Sequence, residues 1–217
     1  MQPYSTYLFD ADGTLIDTAE LIYHCFVHSV GRFGGRTIGR DEVYRHIGLT
    51  LRAQLETYLG PLSDERYQEV RDVHMGYQRS VYPQYLRAFP GVADVLAALG
   101  EAGCTCGVVS SRMPDTLSLY LDATGLLPYF SVLISPVDTV EHKPHPAPVL
   151  EALRRLGVSA DGAVYVGDAS YDVECGAAAG VDTVLVGWGH SDPAALETKP
   201  TWVIQEPQEL CEHVYRA

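Results

Sequence analysis

The chain has 217 residues, 47% of them hydrophobic and 20% charged, which is enough for one sizeable core with a smaller unit attached. Its formal net charge of −13 works against nonspecific binding to nucleic acid or to anionic membranes, so any phosphate chemistry needs a local cationic pocket. No apolar run approaches a membrane span, and Met1-Gln2-Pro3-Tyr4-Ser5 lacks the basic and apolar regions of a signal peptide, so a cytoplasmic protein is expected.

The elements begin with a short apolar strand, Tyr7-Leu8-Phe9, which runs into Asp10-Ala11-Asp12-Gly13-Thr14-Leu15. From about Asp17 to Tyr85 the pattern is helical. Asp17-Thr18-Ala19-Glu20 reads as a capping box, and Leu21/Ile22, Cys25/Phe26 and Ser29/Val30 recur at helical spacing. The glycines from Gly31 to Gly39 break that helix. Shorter helices follow around Asp41 to Ile47 and Leu51 to Leu59. A longer one starts at Asp64 and is expected to end at Pro83.

From Phe89-Pro90-Gly91 onward helices and strands alternate. Helices are expected over Val92 to Ala102, Pro114 to Thr124, Pro146 to Leu156, Tyr171 to Ala179 and Pro207 to Tyr215. Strands are expected over Cys104 to Val109, Val132 to Ile134, Ala163 to Val166, Val181 to Val186 and Thr201 to Ile204. Short apolar strands separated by helices imply a Rossmann-like α/β fold, a parallel sheet with helices on both faces that binds ligands at the carboxyl ends of its strands. The reading is an α/β core domain over 1–16 and 86–217, with a helical cap domain over 17–85 inserted after the first strand.

Four strand ends carry the residues that chemistry could use. Asp10 and Asp12 lie two apart and face the same way in extended chain, which is costly unless a cation neutralises them. Oxygen ligands at that density suit Mg²⁺. The string Gly107-Val108-Val109-Ser110-Ser111-Arg112 puts a hydroxyl where a strand stops, able either to donate to a phosphoryl oxygen or to cap the next helix. Lys143, one of only two lysines beside thirteen arginines, sits in a proline-fixed loop where it could offset the charge of a nucleophile and of a transferring phosphoryl group. Gly167-Asp168-Ala169-Ser170-Tyr171-Asp172 ends an apolar strand with one acid and places another four residues on. Both could equally cap a helix. His142 and His145 lack a zinc-like spacing. Of the five cysteines, Cys25, Cys104, Cys106, Cys175 and Cys211, only Cys104 and Cys106 are close in sequence, and their alternate spacing inside an apolar strand reads as reduced core residues.

Taken together, these four segments resemble the signatures of the haloacid dehalogenase superfamily, in order and across nearly the whole chain. The resemblance implies a phosphatase in which Asp10 is the nucleophile that forms an aspartyl-phosphate and Asp12 the general acid and base. Ser110 and Lys143 would hold the phosphoryl group, with Thr14, Ser111 and Arg52 as substrate-binding residues. Mg²⁺ would be bound by Asp10, the backbone carbonyl of Asp12, and Asp168, with Asp172 supporting the site from nearby. Family members often carry Asn where this chain has Ser111 and Ser where it has Ala169. The helical insertion would be the cap that selects the substrate.

The acid at position 12 favours phosphoryl transfer over dehalogenation, and a cap without lysine lacks the Schiff-base residue of phosphonoacetaldehyde hydrolases. Sugar phosphomutases of the β-phosphoglucomutase kind carry a cap histidine where this chain has Ile22. Within the hydrolases, His46-Ile47-Gly48-Leu49-Thr50-Leu51 and Phe89-Pro90-Gly91-Val92 resemble segments of phosphoglycolate phosphatases and of a related pyrophosphatase group. The expected substrate is a small phosphorylated metabolite of the phosphoglycolate kind, with pyrophosphate or a sugar phosphate as alternatives. Arg45, Arg52 and His24 could meet an anionic substrate. Neither nucleic acid nor membrane is expected as a partner, and the state is monomer or homodimer. A phosphate-binding or regulatory protein without turnover is the reading from another class, but it would not need both first-strand acids.

Overall fold

Strand β1 (Thr6–Phe9) lies at the centre of a sheet whose order is β5-β4-β1-β6-β7-β8, as shown by the computed structural model, which describes residues 4–189 and 193–212. The other strands are β4 (Thr105–Val109), β5 (Val132–Ile134), β6 (Ala163–Gly167), β7 (Asp182–Val186) and β8 (Trp202–Ile204), and every pairing is parallel. Alternation within β1 divides the core. Tyr7 and Phe9 pack on one face with Val108, Val164 and Val166, while Leu8 packs on the other with Val109, Ile134 and Tyr165. A sheet buried on both faces explains why its strands read as unbroken apolar runs.

The crossovers are α5 (Val92–Glu101), α6 (Pro114–Ala123), α7 (Ala147–Leu156) and α8 (Ser170–Ala178). Each lies within a residue or two of its expected span. The last helix, α9, is Glu209–Glu212, shorter at its start than expected, and the end expected at Tyr215 falls outside the described residues.

Between the first strand and α5 the chain leaves and re-enters the sheet side by side, through β2 (Ile16–Asp17) paired antiparallel with β3 (Arg87–Ala88). This ribbon had no signal in the sequence, because two residues are too few to show alternation. It carries the insertion, made of α1 (Ala19–Gly34), α2 (Arg40–Tyr44), α3 (Leu51–Leu59) and α4 (Asp64–Tyr85). The insertion has an apolar centre of its own, in which Phe26, Val30, Val43, Leu55 and Val70 are buried.

Two local expectations are corrected. Helix α4 continues through Pro83 to Tyr85, because the ladder resumes with Leu86 N–H donating to the Tyr82 carbonyl and Tyr82 stacks on Tyr120 of the core. The segment read as a capping box keeps half of it: Asp17 Oδ1 accepts from the Ala19 N–H at 3.4 Å, but Glu20 is bonded to Arg40 and Tyr44, and Thr18 at the start of α1 makes no capping bond because its hydroxyl is used elsewhere.

Candidate active site

Register assembles the site. Phe9 pairs with Val108 on one side and Val166 on the other, so Asp10, Ser110 and Asp168 all emerge just beyond the same edge of the sheet. Asp10 N–H still donates to the Val166 carbonyl at 2.8 Å, and Ser110 N–H to the Ile134 carbonyl at 2.9 Å. The backbone under both residues is therefore fixed by the ladder.

The turn after Asp12 depends on Gly13. Its φ is +85°, a left-handed conformation that side chains resist, and a Cβ there would collide with the Asp168 carboxylate. This close approach of the β1 turn to the end of β6 needs glycine on both counts.

Lys143 is the centre of charge. Its Nζ donates to Asp10 Oδ1 and to Asp172 Oδ1, each at 2.7 Å, and to the Tyr165 hydroxyl at 3.3 Å. The lysine side chain is 1% exposed, so these bonds stand in for its hydration. Burial opposes its charge, yet the two carboxylates outweigh burial and hold the amine above the ordinary lysine range. The Tyr165 hydroxyl, 2.9 Å from the Val109 carbonyl and 3.1 Å from Asp172 Oδ1, steadies the pair from beneath.

Three buried carboxylates, Asp10, Asp168 and Asp172, bring oxygens within 4.8 Å of one another. With all three ionised, one lysine leaves that cluster with two uncompensated negative charges. Burial, against the pull of Lys143, pushes the Asp10 carboxyl up to about 7, and burial with repulsion from Asp172 pushes Asp168 well above the usual carboxylate range. A divalent cation with oxygen preference would restore the balance, so the donor set fits Mg²⁺. Asp172 stands apart within this set. Its Oδ1 accepts from Lys143 and its Oδ2 from the Ala169 N–H at 3.1 Å, so it orients the lysine and opens α8. Asp10 and Asp168 are the side chains with oxygens left to offer.

Asp12 is held by groups that the sequence reading did not single out. Arg112 grips it in two-pronged fashion, with Nε 2.9 Å from Oδ2 and Nη2 2.6 Å from Oδ1, and the Thr18 hydroxyl donates to Oδ1 at 2.5 Å. The guanidinium lies over the Tyr120 ring, 4.5 Å from its centroid. A threonine read as a helix cap is thus spent on a carboxylate six residues back. The signal for Arg112 was its place two residues after Ser110 at a strand end, where a cation faces the mouth of the sheet.

The remaining expected residues divide. Ser110 lines the cavity with Asp10 and Asp12, its Oγ accepting from the Arg112 N–H at 3.2 Å. The Ser111 hydroxyl donates to the Gly48 carbonyl at 2.6 Å, tying core to insertion. Thr14 is buried behind the site with its hydroxyl 3.5 Å from Asp168, so it braces that acid and does not face a substrate. Arg52 is a correction. It lies over Tyr67 and lines a groove that adjoins the Asp10 cavity at Leu51, Ser111 and Met113 without including Asp10. Three acceptors within its own unit, Glu56, Asp64 and the Leu62 carbonyl, hold it there. His24 stacks on Tyr85 4.7 Å away, and Arg45 borders an outer groove beside Asp168.

The geometry agrees with what similar proteins show. The family model for haloacid dehalogenase-like hydrolases matches residues 7–186. The pyrophosphatase PpaX of Bacillus pumilus is 32% identical over 207 residues, covering 95% of this chain and 94% of its own. That of Oceanobacillus iheyensis is 30% identical over 206 residues, covering 94% of each. In structure, a haloacid dehalogenase-like hydrolase from Bacteroides fragilis superposes with a TM-score of 0.86 at 27% identity, covering 94% of this chain and 99% of that one. A Lactobacillus plantarum protein provisionally described as a phosphoglycolate phosphatase gives 0.86 at 25% identity, covering 97% and 99%. With the four strand ends converging on one buried cluster of acids around a lysine, the chain belongs to the haloacid dehalogenase-like hydrolases.

Proposed function

We propose that the chain is an Mg²⁺-dependent phosphatase that cleaves a small phosphomonoester through an aspartyl-phosphate on Asp10. The observation that carries this reading is the division of labour between the two first-strand acids. Asp10 is bonded to Lys143 and faces the cavity, while Asp12, two residues on, is oriented by Arg112 and Thr18.

Asp10 Oδ attacks phosphorus and the ester oxygen leaves with a proton from Asp12. Asp12 then takes a proton from the water that hydrolyses the acyl phosphate. Lys143 keeps Asp10 placed and offsets charge on the transferring group, and the Ser110 hydroxyl can donate to one of its oxygens. A cation held by Asp10, Asp168 and the Asp12 carbonyl would supply charge neutralisation of the phosphoryl oxygens. The insertion would act as the cap, excluding water and selecting the leaving group. No helix among the described residues is long and apolar enough to cross a membrane. Cys25, Cys104, Cys106 and Cys175 form no disulfide, which fits a reducing compartment, and the cytoplasm is the one we propose.

Phosphate release from p-nitrophenyl phosphate, with and without Mg²⁺, tests the reading. Asp10→Asn is expected to lose activity by at least about 10⁴-fold, and chelation of the metal to lower it to a similar floor. Near-normal turnover by Asp10→Asn would sink the mechanism.

A further inference from the structure

Between the insertion and the sheet edge lies a cavity of about 60 Å³ that reaches Asp10, Asp12 and Ser110. At 10–15 Å³ per water position it has room for roughly four to six such positions, so the part of a substrate that it accepts is small. The insertion walls it with apolar side chains, among them Ile22, Phe26 and Met75, and with three polar ones, Gln54, His74 and Gln78.

The polar three are not solvent-facing; Gln54 is 7%, Gln78 4% and His74 2% exposed. Gln54 Nε2 donates to the Leu49 carbonyl at 2.9 Å. A carbonyl can only accept, which fixes the amide the same way round and leaves Oε1 with nothing to accept from. That oxygen and the corresponding one of Gln78 are buried without a hydrogen-bond partner among the described residues. Such an acceptor is destabilising until a donor reaches it.

Charge completes the picture. Arg112 is matched by Asp12, and Lys143 by Asp10 and Asp172. His74 is held neutral by burial, with its Nδ1 3.0 Å from Ser29 Oγ. Arg45, in the outer groove, stands among Asp41, Glu174 and Glu197. Among the described residues, the insertion therefore lines this cavity with two amides whose oxygens lack a donor and with no cation.

Resting on the phosphatase reading above, we infer that Gln54 and Gln78 are specificity-determining residues for an uncharged leaving group that carries hydroxyls, a small polyol. A hydroxyl is the neutral group that donates to both amide oxygens and can also accept from the remaining N–H groups of Arg112. The carboxylate of phosphoglycolate and the second phosphate of pyrophosphate would instead set an anion against those acceptors, with the charges of Arg112 and Lys143 already matched by Asp12, Asp10 and Asp172. Sites built around a buried hydrogen-bonding group reject analogues that lack its partner far more strongly than apolar pockets do.

The experiment compares kcat/KM, with Mg²⁺, for glycerol 2-phosphate, phosphoglycolate, pyrophosphate, phosphoethanolamine and p-nitrophenyl phosphate. The polyol ester is expected to exceed each anionic substrate and phosphoethanolamine by tenfold or more, and Gln54→Met to reduce its ratio to p-nitrophenyl phosphate at least tenfold. Gln78→Met is expected to shift the same ratio in the same direction, and serves if Gln54→Met does not fold. Binding to Asp10→Asn by calorimetry gives an independent readout, with glycerol 2-phosphate tighter than phosphoglycolate. A preference for phosphoglycolate, pyrophosphate or phosphoethanolamine, or a ratio unmoved in both variants, overturns the inference and leaves the phosphatase reading standing. No hydrolysis of any substrate above the Asp10→Asn blank overturns both.

Discussion

The two walls of the cavity are built on opposite principles. On the sheet side Asp10, Asp12, Lys143, Arg112, Asp168 and Asp172 are all ionisable, largely buried and bonded to one another at 2.6–2.9 Å where they pair. On the insertion side the buried polar groups are two amides and a neutral imidazole, set among aliphatic and aromatic neighbours. The sheet wall is organised to manage charge that appears and disappears on a phosphoryl group, which is the same whatever ester is cut. On the proposed reading the insertion wall meets the part that varies between esters, and there shape and hydrogen bonding would discriminate while extra charge would only disturb the chemistry next door.

Breaking the charged wall should cost most. Lys143→Met leaves Asp10 and Asp172 facing each other in the interior without their ammonium, and a buried pair broken on one side costs about 3–5 kcal/mol. The expected result is a fall in melting temperature together with loss of turnover, partly offset in melting temperature by millimolar Mg²⁺. An unchanged melting temperature would show that the cluster is less buried or less coupled than its bonds indicate.

Arg112→Met should spare most of the packing over Tyr120 while removing both prongs from Asp12. In the proposed mechanism Asp12 passes the proton, so kcat is expected to drop by about 10²-fold with KM little changed. A variant in which KM alone rises would assign Arg112 to substrate binding.

The neutral wall should respond to acid. Burial holds the His74 imidazole down at about 3, whereas in the unfolded chain it titrates near its ordinary value of about 6.5. Between those values the unfolded state binds more protons, so stability rises with pH and is lost as pH falls through that window. The expected slope is ~1.4 kcal/mol per pH unit below about pH 6.5. Urea unfolding of wild type and His74→Gln at pH 7 and pH 5 isolates it; equal losses in the two proteins would remove His74 as the cause.

Legibility in the sequence followed the same division. Asp10, Asp12 and Asp168 stand at or just beyond the ends of apolar strands, and Lys143 in the proline-fixed loop that follows another; strand ends in a parallel sheet converge, so these segments could be read as one cluster before any contact was known. Arg112 and Thr18 were hidden because each has an ordinary local explanation, a surface cation and a helix cap; only the fold shows that both turn to Asp12. Arg52 misled for the opposite reason. A basic residue in the insertion invites a substrate role, but Glu56 and Asp64 on its own unit capture it. Gln54 and Gln78 carry no motif at all, since what marks them is an unmet hydrogen bond, a property of packing and not of spacing.

Strand β1 is paired on both sides, by β4 and β6, whereas the insertion joins the sheet through a ribbon of two residues on each strand. Amide exchange should therefore separate them. The Leu8 and Phe9 amides are expected to exchange only when the whole molecule unfolds, while those of α2 and α3 exchange through openings that leave the sheet closed. Asp10, the proposed nucleophile, then stays registered to Ser110 and Asp168 through every opening of the insertion, and the machinery need not be reassembled between turnovers.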